Sequence, residues 1–146
     1  MYGNKFPVSQ PFGLILLLGL LAALTGCKTI NMGKSLSFLK SEPGFTDHLA
    51  RGYRMLAEYE DYREADQTAA FYFRDKAERA DRGEAVEPGI ANDPDLSESV
   101  RSELQTARKA LTNALDVQRA ETANISDPLK LAEAQVNYDC WLMRAV

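Results

Sequence analysis

Cys27 is the residue best placed for chemistry, because it follows two small residues, Thr25 and Gly26, at the end of an apolar run. The thiolate is the nucleophilic form of cysteine, and the small residues leave it sterically open to an enzyme. The apolar run, residues 11–24, contains no charge, and Lys5 supplies a positive charge before it. Its length fits the core of an export signal and is shorter than the roughly 20 residues of a membrane-spanning helix.

The four residues from Leu24 to Cys27 resemble the bacterial lipobox, in which the cysteine sulfur receives a diacylglyceryl group and a peptidase cleaves before the cysteine. The resemblance implies cleavage between Gly26 and Cys27, and lipid attachment, palmitate included, at Cys27. Two or three acyl chains hold a protein on a membrane, because each buried methylene contributes about 0.8 kcal/mol and one chain alone binds marginally. Two alternatives stay open: a secretory signal cut near residues 22–23, or an uncleaved membrane anchor.

Lys28 bears on the destination of such a lipoprotein. In many Gram-negative bacteria an aspartate at that position retains lipoproteins at the inner membrane, so the resemblance implies the periplasmic face of the outer membrane. We expect three segments: a lipoprotein signal peptide over residues 1–26, a flexible tether over 27–44 and a helical domain over 45–146.

The remaining residues with reactive side chains do not form a recognisable active site. The only histidine is His48, and a histidine base needs a nucleophile and usually an orienting acid. An acidic cluster could bind a divalent cation, but a solvated helix end is the more common role; its members are Glu58, Asp61, Glu64 and Asp66. We therefore predict no catalytic residue, no metal site and no cofactor in a protein that is not an enzyme, with no evident small-molecule substrate.

The charge balance argues against a nucleic-acid partner. The chain has 17 basic and 21 acidic residues, and Lys5 is the only charged residue before Cys27. A chain that starts at Cys27 therefore has 16 basic and 21 acidic residues and a net charge of −5. Nucleic-acid binding calls for a basic stripe, so the expected partners are the membrane, through the lipid, and an envelope protein.

Apolar residues recur at three- and four-residue steps from Phe45 onward, which predicts an all-α domain of two antiparallel hairpins. Helices should cover most of residues 45–82 and 96–143. We expect Asp66 to cap the second helix, Gly83 to stop it and Pro128 to lie in the first turn of the fourth.

The third helix is expected to begin at a capping box formed by Asp95 and Glu98. Residues 83–95 should form a loop, and residues 124–128 should break the chain again. The predicted buried positions, in chain order, are Phe45, Leu49, Tyr53, Leu56, Ala57, Ala69, Phe73, Ala77, Ala80, Val100, Leu104, Ala107, Leu111, Ala114, Gln118, Leu129, Ala132, Val136, Cys140 and Met143.

The first hairpin has a spacing similar to that of a tetratricopeptide unit. The matching positions are Tyr53, Leu56, Ala57, Ala69 and Phe73. Glu60, Lys76 and Asp81 miss the later positions of the pattern, and one unit is fewer than the three needed for a stable solenoid. Either a tetratricopeptide-like pair or convergence on small residues at a tight helix crossing explains the spacing.

Two runs, Tyr53–Pro88 and Ala132–Trp141, resemble the N-terminal helical region of OmpA-family outer-membrane lipoproteins of alphaproteobacteria. The most specific part is the sequence Asp139-Cys140-Trp141. The resemblance implies a non-catalytic envelope lipoprotein with a structural or adaptor role. The alternative is a tetratricopeptide-like module that recognises a periplasmic partner. The relatives grip peptidoglycan through a downstream domain that has no counterpart here, so peptidoglycan binding is not implied.

The same resemblance bears on Cys140, since the relatives carry a further cysteine downstream that would pair with it. That segment has no counterpart after Trp141. With Cys27 acylated, Cys140 is the only remaining thiol, so we expect it to form no disulfide within the chain and to be buried as a small apolar group beside Val136 and Met143. The alternative is a loosely packed fourth helix, whose exposed thiol joins two copies of the chain.

Overall fold

The computed structural model describes residues 44–120 and 127–146, and within these ranges it is all-helical, as predicted, with no strand. The helices are α1 (Phe45–Tyr59), α2 (Gln67–Asp81), α3 (Glu98–Ala120) and α4 (Pro128–Ala145). A π-helical turn, Glu60–Glu64, follows α1. The predicted signal peptide, the Cys27 attachment point, residues 27–43 of the tether and the break at residues 124–126 lie outside the described residues. None of the described helices has the length and apolar character needed to cross a membrane.

Local capping signals confirm three of the predicted helix boundaries. Asp66 caps α2, because its Oδ1 accepts a hydrogen bond from the backbone N–H of Ala69 at 2.9 Å. Gly83 ends α2 with a φ of +73°, a left-handed conformation that glycine adopts at little steric expense. Pro128 is the first residue of α4, and the Asp127 carboxylate caps that helix.

The predicted start of α3 is wrong. The helix begins at Glu98, and the Ser97 hydroxyl, rather than the Asp95 carboxylate, accepts the hydrogen bond from the Val100 N–H at 3.4 Å. Asp95 instead lies in a turn before the helix, where its N–H donates to the side chain of Asp93. The buried Leu96 must reach the core from this turn, which moves the start of the helix past Asp95.

Helices α1 and α2 form the predicted antiparallel hairpin. Arg54 in α1 pairs with Asp81 at the end of α2, while Asp61, just after α1, pairs with Arg74 in the middle of α2 at 3.5 Å. These two contacts show that α1 and α2 run antiparallel. The connection between the helices, residues 60–66, contains the π-helical turn and Ala65 in the left-handed conformation with a φ of 54°.

The hydrophobic core has two clusters, and α4 contributes to both. The first lies between α1, α2 and α4, and its buried members are Leu49, Ala50, Tyr53, Leu56, Ala57, Ala69, Phe73, Ala77, Ala80, Val86, Ala132, Val136 and Cys140. The second lies between α3, α4 and the loop before α3, and its members are Ala91, Leu96, Leu104, Leu111, Leu115, Leu131, Tyr138, Trp141 and Leu142. Helix α4 is thus the element that joins the two parts of the domain.

This position makes α4 more deeply buried than the sequence predicts. The predicted face, with Ala132, Val136 and Cys140, is buried as expected, but it packs on the first cluster, with α1 and α2, rather than on α3. A second face, which includes Trp141 and Leu142, packs on the second cluster. A helix that lies between two apolar clusters buries side chains on more than one face. The single apolar face predicted from the sequence therefore accounts for only part of the burial of α4.

Candidate functional site

The loop between α2 and α3 is the segment on which the buried polar side chains converge. The sequence predicts this loop from its proline and glycine content, but Val86 and Pro88 within it are almost fully buried. Buried backbone carbonyl and N–H groups must find hydrogen-bond partners. In this loop the partners are side chains from α2, α3 and α4, described below.

Asp139 of α4 is the central residue, and it is fully buried. Its Oδ2 accepts hydrogen bonds from the Tyr53 hydroxyl and from the Lys76 ammonium, the latter at 2.8 Å. Its Oδ1 accepts from the backbone N–H of Gly89 at 2.7 Å. One carboxylate therefore connects α1, α2 and the loop to α4. We call the five residues Tyr53, Lys76, Gly89, Gln135 and Asp139 the Asp139 network.

Lys76 and Gln135 extend the network to two loop carbonyls. The Lys76 ammonium also donates to the Glu87 carbonyl at 2.8 Å. It lies 5.4 Å from the ring centroid of Tyr53 and 5.1 Å from that of Tyr72, which are cation–π distances. The Gln135 amide donates to the Val86 carbonyl at 2.7 Å and to the Tyr53 hydroxyl at 3.1 Å.

Two further side chains hold the carbonyl of Gly89. The Tyr138 hydroxyl donates to it at 3.0 Å, and Arg108 Nε of α3 donates to it at 3.0 Å. Arg108 Nε also lies 3.2 Å from the Pro88 carbonyl. Four consecutive loop carbonyls, residues 86–89, therefore accept side-chain hydrogen bonds, and the loop is fixed by three helices.

Electrostatics keeps the buried phenols protonated. Burial raises the pKa of Tyr53 well above its usual range, and the nearby Asp139 charge raises it further. Burial, with a smaller effect of Asp139, raises the pKa of Tyr138 to about 12 and also raises the pKa of Tyr72. At neutral pH Tyr53 and Tyr138 are therefore hydrogen-bond donors rather than nucleophiles. The Tyr72 hydroxyl and Gln135 Oε1 are buried without a hydrogen-bond partner.

The Lys76–Asp139 ion pair differs from the surface ion pairs because both of its charged groups are buried. Lys76 is 6 % exposed and Asp139 is 0 % exposed, and buried charges persist in proteins when they are paired and hydrogen-bonded. Both charges meet this condition. The arrangement can hold the loop in one conformation, and its charged groups face each other and the loop backbone.

The structure separates the residues that the sequence singles out for chemistry. His48 is partly buried, and its Nδ1 has no hydrogen-bond partner. The Asp61 carboxylate accepts a hydrogen bond from the Gln67 side-chain amide at 2.5 Å, and the Glu64 carboxylate accepts one from the Tyr59 hydroxyl at 2.9 Å. The Asp66 carboxylate caps α2. Within the described ranges no three histidine, cysteine or acidic residues are arranged to hold a metal ion.

Cys140 corrects one prediction. It is buried in the first cluster, as expected, with 2 % of its surface exposed. It is also disulfide-bonded, so the prediction that it forms no disulfide is wrong. The sequence holds one other cysteine, Cys27, which lies outside the described residues. The prediction assumed an acylated Cys27, which would leave Cys140 without a thiol in the chain to pair with.

The sequence contains a signal for the Asp139 network, although the predicted buried positions include neither Lys76 nor Asp139. Lys76 and Asp139 each stand beside apolar residues on a buried helix face, next to Ala77 and Cys140 respectively. A charged residue on such a face requires a partner of opposite charge. Lys76 does not match the tetratricopeptide pattern, yet it makes the buried ion pair with Asp139.

Gly89 offers a direct test of how tightly the loop is packed. A Cβ at this position would collide with Leu142, would lie 2.6 Å from the Tyr72 hydroxyl and 3.1 Å from Asp139 Oδ1. We expect Gly89→Ala to lower the free energy of unfolding by about 1–3 kcal/mol, as overpacking of a core does. Urea denaturation measures the loss.

The neighbouring residue supplies the control for this prediction. Ile90 is 60 % exposed, and Ile90→Ala should change the stability by no more than about 0.5 kcal/mol. Equal stability of the parent and Gly89→Ala would contradict the packing described for the loop.

These residues define an all-α domain in which a buried ion pair between α2 and α4, together with Arg108 of α3, holds the loop between α2 and α3. No protein-family model, curated protein or solved structure gives a significant match to the chain.

Proposed function

We propose that this protein is a non-catalytic bacterial envelope lipoprotein, anchored by lipid on Cys27 to the periplasmic side of the outer membrane. One observation carries the proposal: Cys27 follows Thr25 and Gly26 at the end of the uncharged apolar run of residues 11–24. The helical domain would serve a structural or adaptor role. Its fixed loop supports that role, because a rigid surface loses little conformational entropy when it binds a partner.

We also propose kinship with the helical region of OmpA-family lipoproteins. The sequence Asp139-Cys140-Trp141 supports it, because each residue has a distinct place in the core. Asp139 centres the buried network, Cys140 packs in the first cluster and Trp141 in the second. A short motif whose residues all have buried roles is the kind that a family of helical domains would share.

The second candidate is a tetratricopeptide-like module that binds a periplasmic protein. Tyr53, Leu56, Ala57, Ala69 and Phe73, the positions that fit the pattern, are all buried in the first cluster. Such packing between two antiparallel helices supports a tetratricopeptide-like pair. A peptide-binding role would also require recovery of a defined partner in a pull-down from detergent-solubilised envelopes.

Because Cys140 is disulfide-bonded, the chemical state of the Cys27 sulfur decides between lipid attachment and a disulfide within one chain. The sequence has only two cysteines, so a disulfide within one chain would use the Cys27 sulfur. That sulfur could then carry no lipid, because a diacylglyceryl thioether and a disulfide each occupy its one available bond. Lipid attachment and such a disulfide are thus alternative states of a single chain.

Metabolic labelling with palmitate in a bacterial host tests the anchor. The parent and Cys140→Ser should incorporate label, since the proposal assigns the lipid to Cys27. Cys27→Ser should lose the label and leave the membrane fraction. Cys140→Ser is the matched control, because it removes the other thiol without touching the proposed attachment point. Equal label in the parent and Cys27→Ser, or label in neither, would refute the lipid anchor.

A further inference from the structure

The disulfide of Cys140 joins the described domain to a sulfur outside it. Cys140 is disulfide-bonded, and residues 44–120 and 127–146 contain no second cysteine. The sequence holds one other cysteine, Cys27. The partner is therefore either Cys27 of the same chain or a cysteine of a second copy, and the packing around Cys140 distinguishes between these two arrangements.

The surroundings of Cys140 leave no room for a second copy. Cys140 is 2 % exposed and packs in the first cluster, and its neighbours Asp139, Trp141 and Leu142 are buried as well. Four consecutive residues point to all sides of a helix, so the chain itself covers α4 at this level. Disulfide-bonded cysteines have Cα atoms about 4.4–6.8 Å apart. A second copy would come that close only if both domains opened, whereas a segment of the same chain packs against the sulfur as the domain folds.

The chain between Cys27 and the domain is long enough for this pairing. Gly44 lies 17 positions after Cys27 and directly precedes Phe45, the first residue of α1. An extended chain covers about 3.3–3.6 Å per residue, so this stretch reaches at most about 60 Å. Helix α1, with 15 residues, is only about 22 Å long, and Phe45 packs against the cluster that contains Cys140. The Cys27 sulfur therefore reaches Cys140 with chain to spare.

We propose that Cys140 is bonded to Cys27 of the same chain, and that this disulfide limits how much of the protein acquires lipid. The pairing depends on the structure and on the number of cysteines, whereas the competition rests on the proposed lipid anchor. The disulfide forms when the two thiols transfer two electrons and two protons to a disulfide donor, which becomes two thiols. Lipid attachment instead forms a carbon–sulfur bond at Cys27 and releases the thiol proton. A Cys27 sulfur that has undergone one reaction is not available for the other.

Burial protects the disulfide once the domain has folded. Reduction requires that an attacking thiolate reach one of the two sulfurs, and Cys140 is enclosed by the first cluster. Disulfides also persist in the oxidising environment of exported proteins. The folded, disulfide-bonded chain therefore keeps the Cys27 sulfur from the enzyme that attaches lipid.

Peptide mapping of the full-length protein, purified from a bacterial host without reductant, tests the pairing. Trypsin cleaves after lysine and arginine, which places Cys27 in a peptide that ends at Lys28 and Cys140 in the peptide of residues 131–144. After alkylation in urea, mass spectrometry should find these two peptides linked, and non-reducing electrophoresis should show the linked protein as a monomer. A 131–144 peptide linked to a second copy of itself, a linked pair confined to dimers, or a fully alkylated Cys140 would overturn the pairing.

Palmitate labelling of the same cells tests the competition. Cys140→Ala leaves Cys27 without a partner, so its labelled fraction should exceed that of the parent by the fraction that the parent holds in linked peptides. Ala132→Ser is the matched control, because it also alters a small side chain of α4 in the first cluster and leaves both thiols; its labelled fraction should equal that of the parent. If Cys140→Ala does not fold, dithiothreitol added to cells that express the parent should give the same gain. Equal labelling with and without the Cys140 thiol, or with and without dithiothreitol, would overturn the competition.

The outcomes separate this proposal from the lipid anchor. Linked peptides with no label in any variant would refute the anchor, and the competition with it, while the pairing of Cys27 with Cys140 stands. Label that is lost only in Cys27→Ser, with no linked peptide in the parent, would support the anchor and overturn the pairing.

Discussion

Replacing Asp139 with alanine should lower the free energy of unfolding by about 3–5 kcal/mol, because it leaves the Lys76 ammonium buried without its counter-ion. The change also removes the acceptor of the Tyr53 hydroxyl and of the Gly89 N–H. Unsatisfied buried donors add to the penalty. Urea denaturation followed by circular dichroism at 222 nm measures the difference. A domain of ordinary stability, about 5–15 kcal/mol, would lose a large part of its margin.

Asp81 provides the matched control for Asp139. It has the same side chain and also pairs with a basic residue, Arg54, but both partners are about half exposed. Exposed ion pairs contribute about 0–1 kcal/mol, so Asp81→Ala should have a small effect. If Asp139→Ala and Asp81→Ala destabilise the protein equally, the buried network does not hold the domain together.

A double substitution shows where the effect of Asp139 originates. Lys76→Met removes the charge that Asp139→Ala leaves unpaired. The double variant should therefore be more stable than Asp139→Ala alone, because replacing a buried ion pair with apolar residues is often close to neutral. A double variant that is less stable than Asp139→Ala would show that the hydrogen bonds of Lys76 to the loop dominate.

Replacing Phe73 with alanine should lower the free energy of unfolding by about 3–5 kcal/mol, the usual loss for a fully buried phenylalanine. Phe73 is fully buried in the first cluster. Its ring stacks on Tyr53 at a centroid distance of 6.3 Å and meets the edge of Tyr72 at 5.3 Å. Alanine removes both aromatic contacts and leaves a cavity between α1 and α2. Thermal or urea denaturation measures the loss.

Phe71 is the control, two residues away on the same helix. It has the same side chain but is 70 % exposed, so Phe71→Ala should change the stability by no more than about 0.5 kcal/mol. Residues 71, 72 and 73 are consecutive, so one helix face cannot bury all three. In the structure Phe73 is buried, Tyr72 packs beside it and Phe71 faces solvent. Similar losses for Phe71→Ala and Phe73→Ala would contradict this assignment.

The sequence by itself determines the four helices and three of their boundaries. Apolar spacing places α1, α2, α3 and α4, and the signals at Asp66, Gly83 and Pro128 mark their ends. These features depend on residues within one or two helical turns. A hydrogen-bond acceptor, a left-handed glycine or a proline acts on its own neighbours, so its effect is visible in a short stretch of sequence.

Only the tertiary structure decides how the charged residues are used. Lys76 and Asp139 are 63 positions apart and meet because α2 and α4 both pack against α1 and the loop. The sequence marks each as a charge beside apolar residues, but it does not say which partner each one finds. Burial creates the requirement for pairing, and burial at these positions depends on how α4 sits between the two clusters. The same packing turns a loop predicted from its prolines and glycines into the segment that three helices hold in place.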